Sequence, residues 1–248
     1  MRAFDAIENS IIYAYRGSIA HNLRVDDTGQ TDDTDLMGVC IAPIDYYFGI
    51  RHFEQYEQLP SESDDRDIVV YDIKKYFRLL LKANPNVISL LWNHPSHYIK
   101  ITELGQRLID NRHIFNSQLS FKSFHGYAYS QLKKMTHGAY RGYMGAKRKK
   151  LVDKFGVVGE NASHLIRLLI MGTEFLNTGE FTVYREHDRD FLLSIKLGEY
   201  SMEQIQRMAD KYFIDIKVAK AGSKLPKEPD YSKANELLIS IMQDYFSN

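Results

Sequence analysis

The sequence predicts an α+β protein, a small mixed β-sheet followed by a mainly helical C-terminal half. Three observations predict it. Short runs at residues 11–15, 36–42 and 68–73 are rich in β-branched and aromatic side chains and are bounded by Gly, Asp or Pro, as strands are. From Lys74 onward apolar residues recur at helical spacing, in Tyr76, Phe77, Leu80 and Leu81 and again in Leu165, Leu168, Leu169 and Phe175. An apolar content of 44% over 248 residues is enough to bury a sizeable core.

In chain order, the strand at 11–15 runs into Arg16-Gly17-Ser18, and the strand at 36–42 follows directly on Asp33-Thr34-Asp35. A polar surface loop is expected over 58–66 before the third strand. Helices are then predicted over residues 74–82, 87–93, 104–112, 117–135, 144–155, 161–177, 190–197, 202–213 and 233–246. Residues 221–230, with two prolines and a glycine, read as a linker to the last helix. The change from sheet-associated helices to a helical region falls between residues 98 and 117, which divides the chain into a domain over 1–112 and a helical domain over 113–248.

Composition narrows the function. Lysine plus arginine equals aspartate plus glutamate, 32 against 32, so net charge gives no reason to expect nucleic acid or a membrane surface, and any such signal must be local. Cys40 is the one cysteine, which excludes an internal disulfide and a cysteine-rich zinc site and fits a reducing compartment. No uninterrupted apolar run is long enough to span a bilayer, and the first ten residues carry acidic side chains rather than an apolar signal region. A cytoplasmic protein without a membrane partner is expected; the sequence says nothing of oligomeric state.

The chemistry gathers in the first third. Gly17 lets the backbone approach a ligand closely and Ser18 adds a hydroxyl, a turn suited to cradling phosphate oxygens. In an extended chain Asp33 and Asp35 point to the same side. Two carboxylates so placed repel each other, and a divalent cation relieves the repulsion; hard oxygen ligands suit Mg²⁺ or Mn²⁺. A phosphate turn beside a cation-binding carboxylate pair is what transfer of a nucleotidyl group from an NTP needs. A third carboxylate would deprotonate the acceptor hydroxyl or share a second cation. Asp67 and Asp72 flank the third strand, and Asp67 is preferred.

These residues, in this order, resemble the nucleotidyltransferase pattern of the DNA polymerase β superfamily, and more closely the RNA-ligase-associated, RlaP-like family. The similarity runs from Tyr15 to about Phe213. It takes in Gly17-Ser18-Ile19-Ala20-His21-Asn22, Asp33-Thr34-Asp35-Leu36-Met37-Gly38-Val39, Asp67, Lys74-Lys75-Tyr76 and Asn84-Pro85-Asn86. In the helical half it includes residues 145–149, Asn161-Ala162-Ser163-His164-Leu165-Ile166-Arg167-Leu168-Leu169 and Gly172-Thr173-Glu174. Asn22 stands where relatives commonly have glycine, and Ser89 where they have an acidic residue. The resemblance implies a nucleotidyltransferase domain ahead of the helical one, and NTP-dependent transfer to an acceptor hydroxyl with release of pyrophosphate, with RNA repair as the setting and RNA as a candidate acceptor.

Beyond the carboxylates, Arg16 and His21 are candidate phosphate contacts on the first turn. His164 and Arg167, three apart on one helix face, are candidate contacts to the triphosphate or base. Lys147 leads a basic run, 147–150, with Tyr140, Arg141 and Tyr143 just before it, a pattern suited to nucleic-acid phosphates and bases. A helical run of this kind also fits a solvated face. Two other classes compete: a non-catalytic nucleotide or RNA sensor that retains the fold, and a phosphohydrolase built on His187-Asp188. The retained Asp33 and Asp35 weigh against the sensor, and the phosphohydrolase lacks a supporting histidine pattern.

Overall fold

The structure is a computed structural model that describes residues 4–25, 33–61, 63–136 and 159–247. Five strands form one sheet in the order β3-β4-β2-β1-β5: β1 Ser10–Tyr15, β2 Thr34–Cys40, β3 Gln55–Gln58, β4 Arg66–Asp72 and β5 Tyr98–Ile101. β2 and β4 are parallel and every other pairing is antiparallel, so the sheet is mixed, as expected. Along the chain the described helices are α1 Gly17–Ala20, α2 Asp45–Phe48, α3 Ile73–Leu81, α4 Pro85–Ile88, α5 Glu103–Asp110, α6 Ser120–Thr136, α7 Gly159–Thr178, α8 Arg189–Lys196, α9 Met202–Gly222 and α10 Tyr231–Ser247. None of them is long and apolar enough to cross a membrane.

The backbone divides into two compact units, Met1–Asn116 with Glu228–Asn248, and Ser117–Lys227. The division read from the sequence puts α10 with the helical half, whereas here α10 belongs with the sheet and contacts α3 and α5. Arg107 on α5 fastens it, donating to Ser240 Oγ at 3.0 Å and pairing with Asp244 at 2.6 Å.

In the first unit the sheet buries both faces. Tyr13, Leu36, Cys40, Ile68 and Val70 line one face under Phe4 and Phe53. Strand alternation sends Ile12, Met37, Val39 and Val69 to the other face, and α5 packs so closely there that a side chain at Gly105 would lie 2.8 Å from Ile12 Cγ1. α3 starts where the sequence turns from strand to helix, because the Asp72 carboxylate accepts from the Lys74 N–H at 2.9 Å. The helix predicted over 87–93 is instead α4, with Pro85 in its first turn and Asn84 capping it, followed by a 3₁₀ turn over Ser89–Trp92. The sequence predicts neither β3 nor β5. β3 is a polar edge strand, Gln-Tyr-Glu-Gln, held by backbone pairing and without an apolar face to read.

The second unit is built around α7, which is buried on nearly all sides through Ala162, Leu165, Ile166, Leu168, Leu169, Phe175 and Leu176. At Gly172 the neighbouring helices come close: Ile216 of α9 and Phe124 of α6 lie 2.8 and 2.9 Å from where a Cβ would sit. α9 starts with a capping box formed by Ser201 and Gln204 and extends to Gly222, well past the predicted end at 213. The helix predicted over 144–155 lies outside the described residues.

Tyr46, Tyr47 and Phe48 divide between roles. Phe48 is exposed, while the Tyr47 hydroxyl reaches into the sheet end, donating to Asp72 and accepting from the Ala42 N–H at 3.1 Å. Burial raises the Asp72 carboxyl above its ordinary range despite that hydrogen bond. Tyr47→Phe removes one of the donors to a buried carboxylate, and we expect it to lower unfolding free energy by about 1–3 kcal/mol in urea titrations.

Candidate active site

Arg16, Gly17, Asp35 and Asp67 meet along the sheet edge where β1 ends and β2 and β4 begin. β1 and β2 run antiparallel with Tyr15 opposite Leu36, and the ladder continues one step further, as the Arg16 N–H donates to Asp35 O at 2.9 Å. β2 and β4 run parallel with Asp35 directly opposite Asp67. Adjacent strands lie about 4.8 Å apart and paired residues share a face, so the two carboxylates stand side by side. The Arg16 guanidinium answers their charge, with Nη2 3.0 Å from Asp67 Oδ2 and 3.6 Å from Asp35 Oδ1. Side-chain exposures of 26%, 29% and 33% for Arg16, Asp35 and Asp67 leave the group open to solvent and to a ligand.

Gly17 is required here for two reasons. Its φ of +62° is strained for a residue with a side chain, and a Cβ would run into the Asp35 carboxylate, 2.8 Å from Cγ. The chain then turns into α1, whose N-cap residue Arg16 provides no side-chain acceptor. Ser18 Oγ is buried with no hydrogen-bond partner among the described residues. A buried hydroxyl on this turn with no partner among the described residues retains a hydrogen bond to offer a ligand oxygen. Asn93, which the sequence did not single out, braces the turn from the other side: its Nδ2 donates to Tyr15 O at 2.7 Å. A lone amide after a helix-like run carries no motif, so only the fold could reveal it.

The other sequence candidates sit as follows. Asp33 is exposed immediately before β2. Asp72 lies at the far end of β4, opposite Cys40 and held by Tyr47 and the α3 cap, so of the two flanking carboxylates only Asp67 is in register with Asp35. His21 is buried at the end of α1, its backbone N–H donating to Gly17 O at 3.1 Å. Lys147 and the surrounding basic run lie outside the described residues. No group of three or more His, Cys, Asp or Glu side chains converges among the described residues. The Asp35–Asp67 pair fits a cation of the magnesium type even so, since Mg²⁺ commonly takes one or two carboxylates and completes its shell with water and phosphate oxygens.

His164 and Arg167 belong to the second unit, on α7. Burial, with Arg167 and Lys134 nearby, lowers the His164 imidazole to about 3, so it is neutral at physiological pH, and its Nε2 is buried without a hydrogen-bond partner among the described residues. Burial, with Arg185 nearby, lowers Arg167 to about 9. Arg185 is itself buried and grips two carboxylates, Glu174 at 2.6 and 2.9 Å and Asp188 at 2.8 and 2.5 Å. Asp188 is thus engaged in a structural ion pair, which removes the partner that a His187-Asp188 reaction centre would need.

A mixed sheet that sets a Gly-Ser turn against carboxylates on adjacent strands has the layout of the nucleotidyltransferase class. The sequence model of RlaP, the RNA repair pathway DNA polymerase beta family, matches residues 1–240, and the chain belongs to that family. The family resemblance read from the motifs is thereby borne out, and its function is of the nucleotidyltransferase type. Among solved structures, a nucleotidyltransferase-like protein from Exiguobacterium sibiricum 255-15 is similar at 12% identity over 95% of this chain and 74% of its own, with a TM-score of 0.28, too little shared backbone to support an argument. No curated protein matches the chain.

Two outcomes are expected. Gly17→Ala lowers unfolding free energy by about 1–3 kcal/mol, the sum of a positive φ and a blocked approach. Gly126→Ala, where a Cβ meets nothing within 4 Å, is neutral or mildly stabilising; urea titration of both variants checks the contrast. His164, depressed in the folded state, binds its proton only in the unfolded chain between about pH 6.5 and 3, so its contribution is present above pH 6.5 and is lost as pH falls. From pH 7 to 5 the wild type is expected to lose about 2 kcal/mol more stability than His164→Gln, read from urea melts at the two pH values.

Proposed function

We propose that the protein transfers a nucleoside monophosphate from an NTP to an acceptor hydroxyl, with release of pyrophosphate, at the sheet edge formed by Gly17, Ser18, Asp33, Asp35 and Asp67. The observation that carries this reading is the parallel register of Asp35 and Asp67 against the Gly17 turn. Asp33 and Asp35 are the residues that would hold Mg²⁺ or Mn²⁺, with Asp67 beside Asp35 as a further oxygen ligand, and the cation when bound supplies neutralisation of triphosphate charge. Gly17 and Ser18 receive phosphate oxygens through the turn backbone and the unpartnered Ser18 hydroxyl. Asp67, beside Asp35, takes the proton of the acceptor hydroxyl as its oxygen bonds to the α-phosphorus and the bond to the leaving pyrophosphate breaks. Arg16, flanking the turn, is a phosphate contact once nucleotide is bound.

The family's RNA repair description supports RNA as the acceptor class. Lys147, His164 and Arg167 are the further candidate contacts to nucleotide or RNA, and the transfer centre itself rests on the first unit alone.

The test is incubation with each α-³²P-labelled NTP, Mg²⁺ or Mn²⁺ and total RNA and protein, comparing wild type with Asp33→Ala plus Asp35→Ala. Transfer of label to RNA by the wild type is expected, with at least about a hundredfold loss in the double variant. NTP binding without any transfer by the wild type would point to a sensor instead.

A further inference from the structure

Asp35 and Asp67 face a cation already built into the chain. The Arg16 guanidinium bridges them, and it is the residue immediately before Gly17, whose missing side chain lets the Asp35 carboxylate lie against the turn. The backbone fixes this arrangement: the Arg16 N–H is bonded to Asp35 O, Tyr15 O is held by Asn93, and the Asp35–Asp67 register is part of the ladder. A divalent ion bound to the same oxygens therefore meets a fixed competitor, since a guanidinium and a metal ion cannot share two carboxylates at contact distance without strong repulsion.

We infer that Arg16 is a resident counter-ion that a divalent cation must displace from Asp35 and Asp67, so that the protein alone binds the cation weakly. This rests on the transfer-centre reading above and adds to it a function for Arg16 in the nucleotide-free protein. Arg16 is attached to the phosphate turn, so the anion that draws it off the carboxylates is the substrate's own triphosphate. It is a positioning residue: it sets when the carboxylates are free for the cation.

The test uses Mn²⁺ alone, with no nucleotide, titrated into the full-length protein and followed by electron paramagnetic resonance of the free ion. Four forms are compared: wild type, Arg16→Gln, Arg16→Lys, and Arg16→Gln combined with Asp35→Asn and Asp67→Asn. Arg16→Gln is expected to bind Mn²⁺ about tenfold more tightly than wild type, within the usual range of coupling between two sites. Arg16→Lys, which keeps the charge but carries it on a more flexible and more strongly hydrated ammonium, is expected to fall between them. The triple variant is expected to lose the tight site. Equal or weaker Mn²⁺ binding by Arg16→Gln, with binding still abolished in the triple variant, overturns the role given to Arg16 and leaves the cation site standing. Tight binding that survives in the triple variant overturns the cation site at Asp35 and Asp67 and the inference with it.

Discussion

The parallel pairing of β2 with β4 is the constraint on which the rest of the candidate site depends. It places Asp35 beside Asp67 in register, one strand spacing apart and on one face of the sheet. Nothing about folding alone favours two carboxylates so placed; they lower stability unless a positive charge stands near them. The sheet supplies that charge from the neighbouring strand, where β1 ends and Arg16 reaches the pair. The antiparallel β1–β2 ladder is therefore as much a part of the site as the two aspartates, since it fixes where the turn begins.

The rest of the first unit can be read as support for that edge. Both sheet faces are covered by apolar side chains, so the strands are held rigidly and the charged ends cannot drift apart. Asn93 ties the end of β1 to the segment after α4, and Asp72 anchors the other end of β4 through Tyr47 and the α3 cap. The same residue type thus serves two purposes on a single strand. Asp67 is half open to solvent and faces another carboxylate, whereas Asp72 is buried and fully engaged as an acceptor.

Much of this was legible in the sequence because the signals were local. The β-branched runs marked β1, β2 and β4, helical spacing marked α3 and α7, and the Gly-Ser and Asp-x-Asp pairs stood at strand ends, where a ligand can approach. What was not legible depended on pairing between distant segments. β3 and β5 are short, with no apolar pattern long enough to distinguish them from loops. Arg16 reads from sequence as a phosphate contact, and only the β2–β4 register shows that it first meets two carboxylates. Asn93 acts through Tyr15 O, and Arg185 through Glu174 as well as its near neighbour Asp188; no spacing rule connects Tyr15 or Glu174 to them. The place of α10 beside the sheet is likewise decided by its contacts with α3 and α5, the Arg107 bonds to Ser240 and Asp244 among them, and the linker before it gives no hint.

That place of α10 has a consequence for how the chain matures on the ribosome. The helical unit is one continuous stretch, Ser117–Lys227, whereas the sheet-bearing unit is split around it. During synthesis the helical unit emerges whole and can pack while the sheet still lacks its closing helix, the reverse of the usual order in which the N-terminal part settles first. Until α10 arrives, the surface of α3 and α5 that it covers is bare. A nascent chain halted before residue 231 would present that surface to chaperones with its β-strands already made.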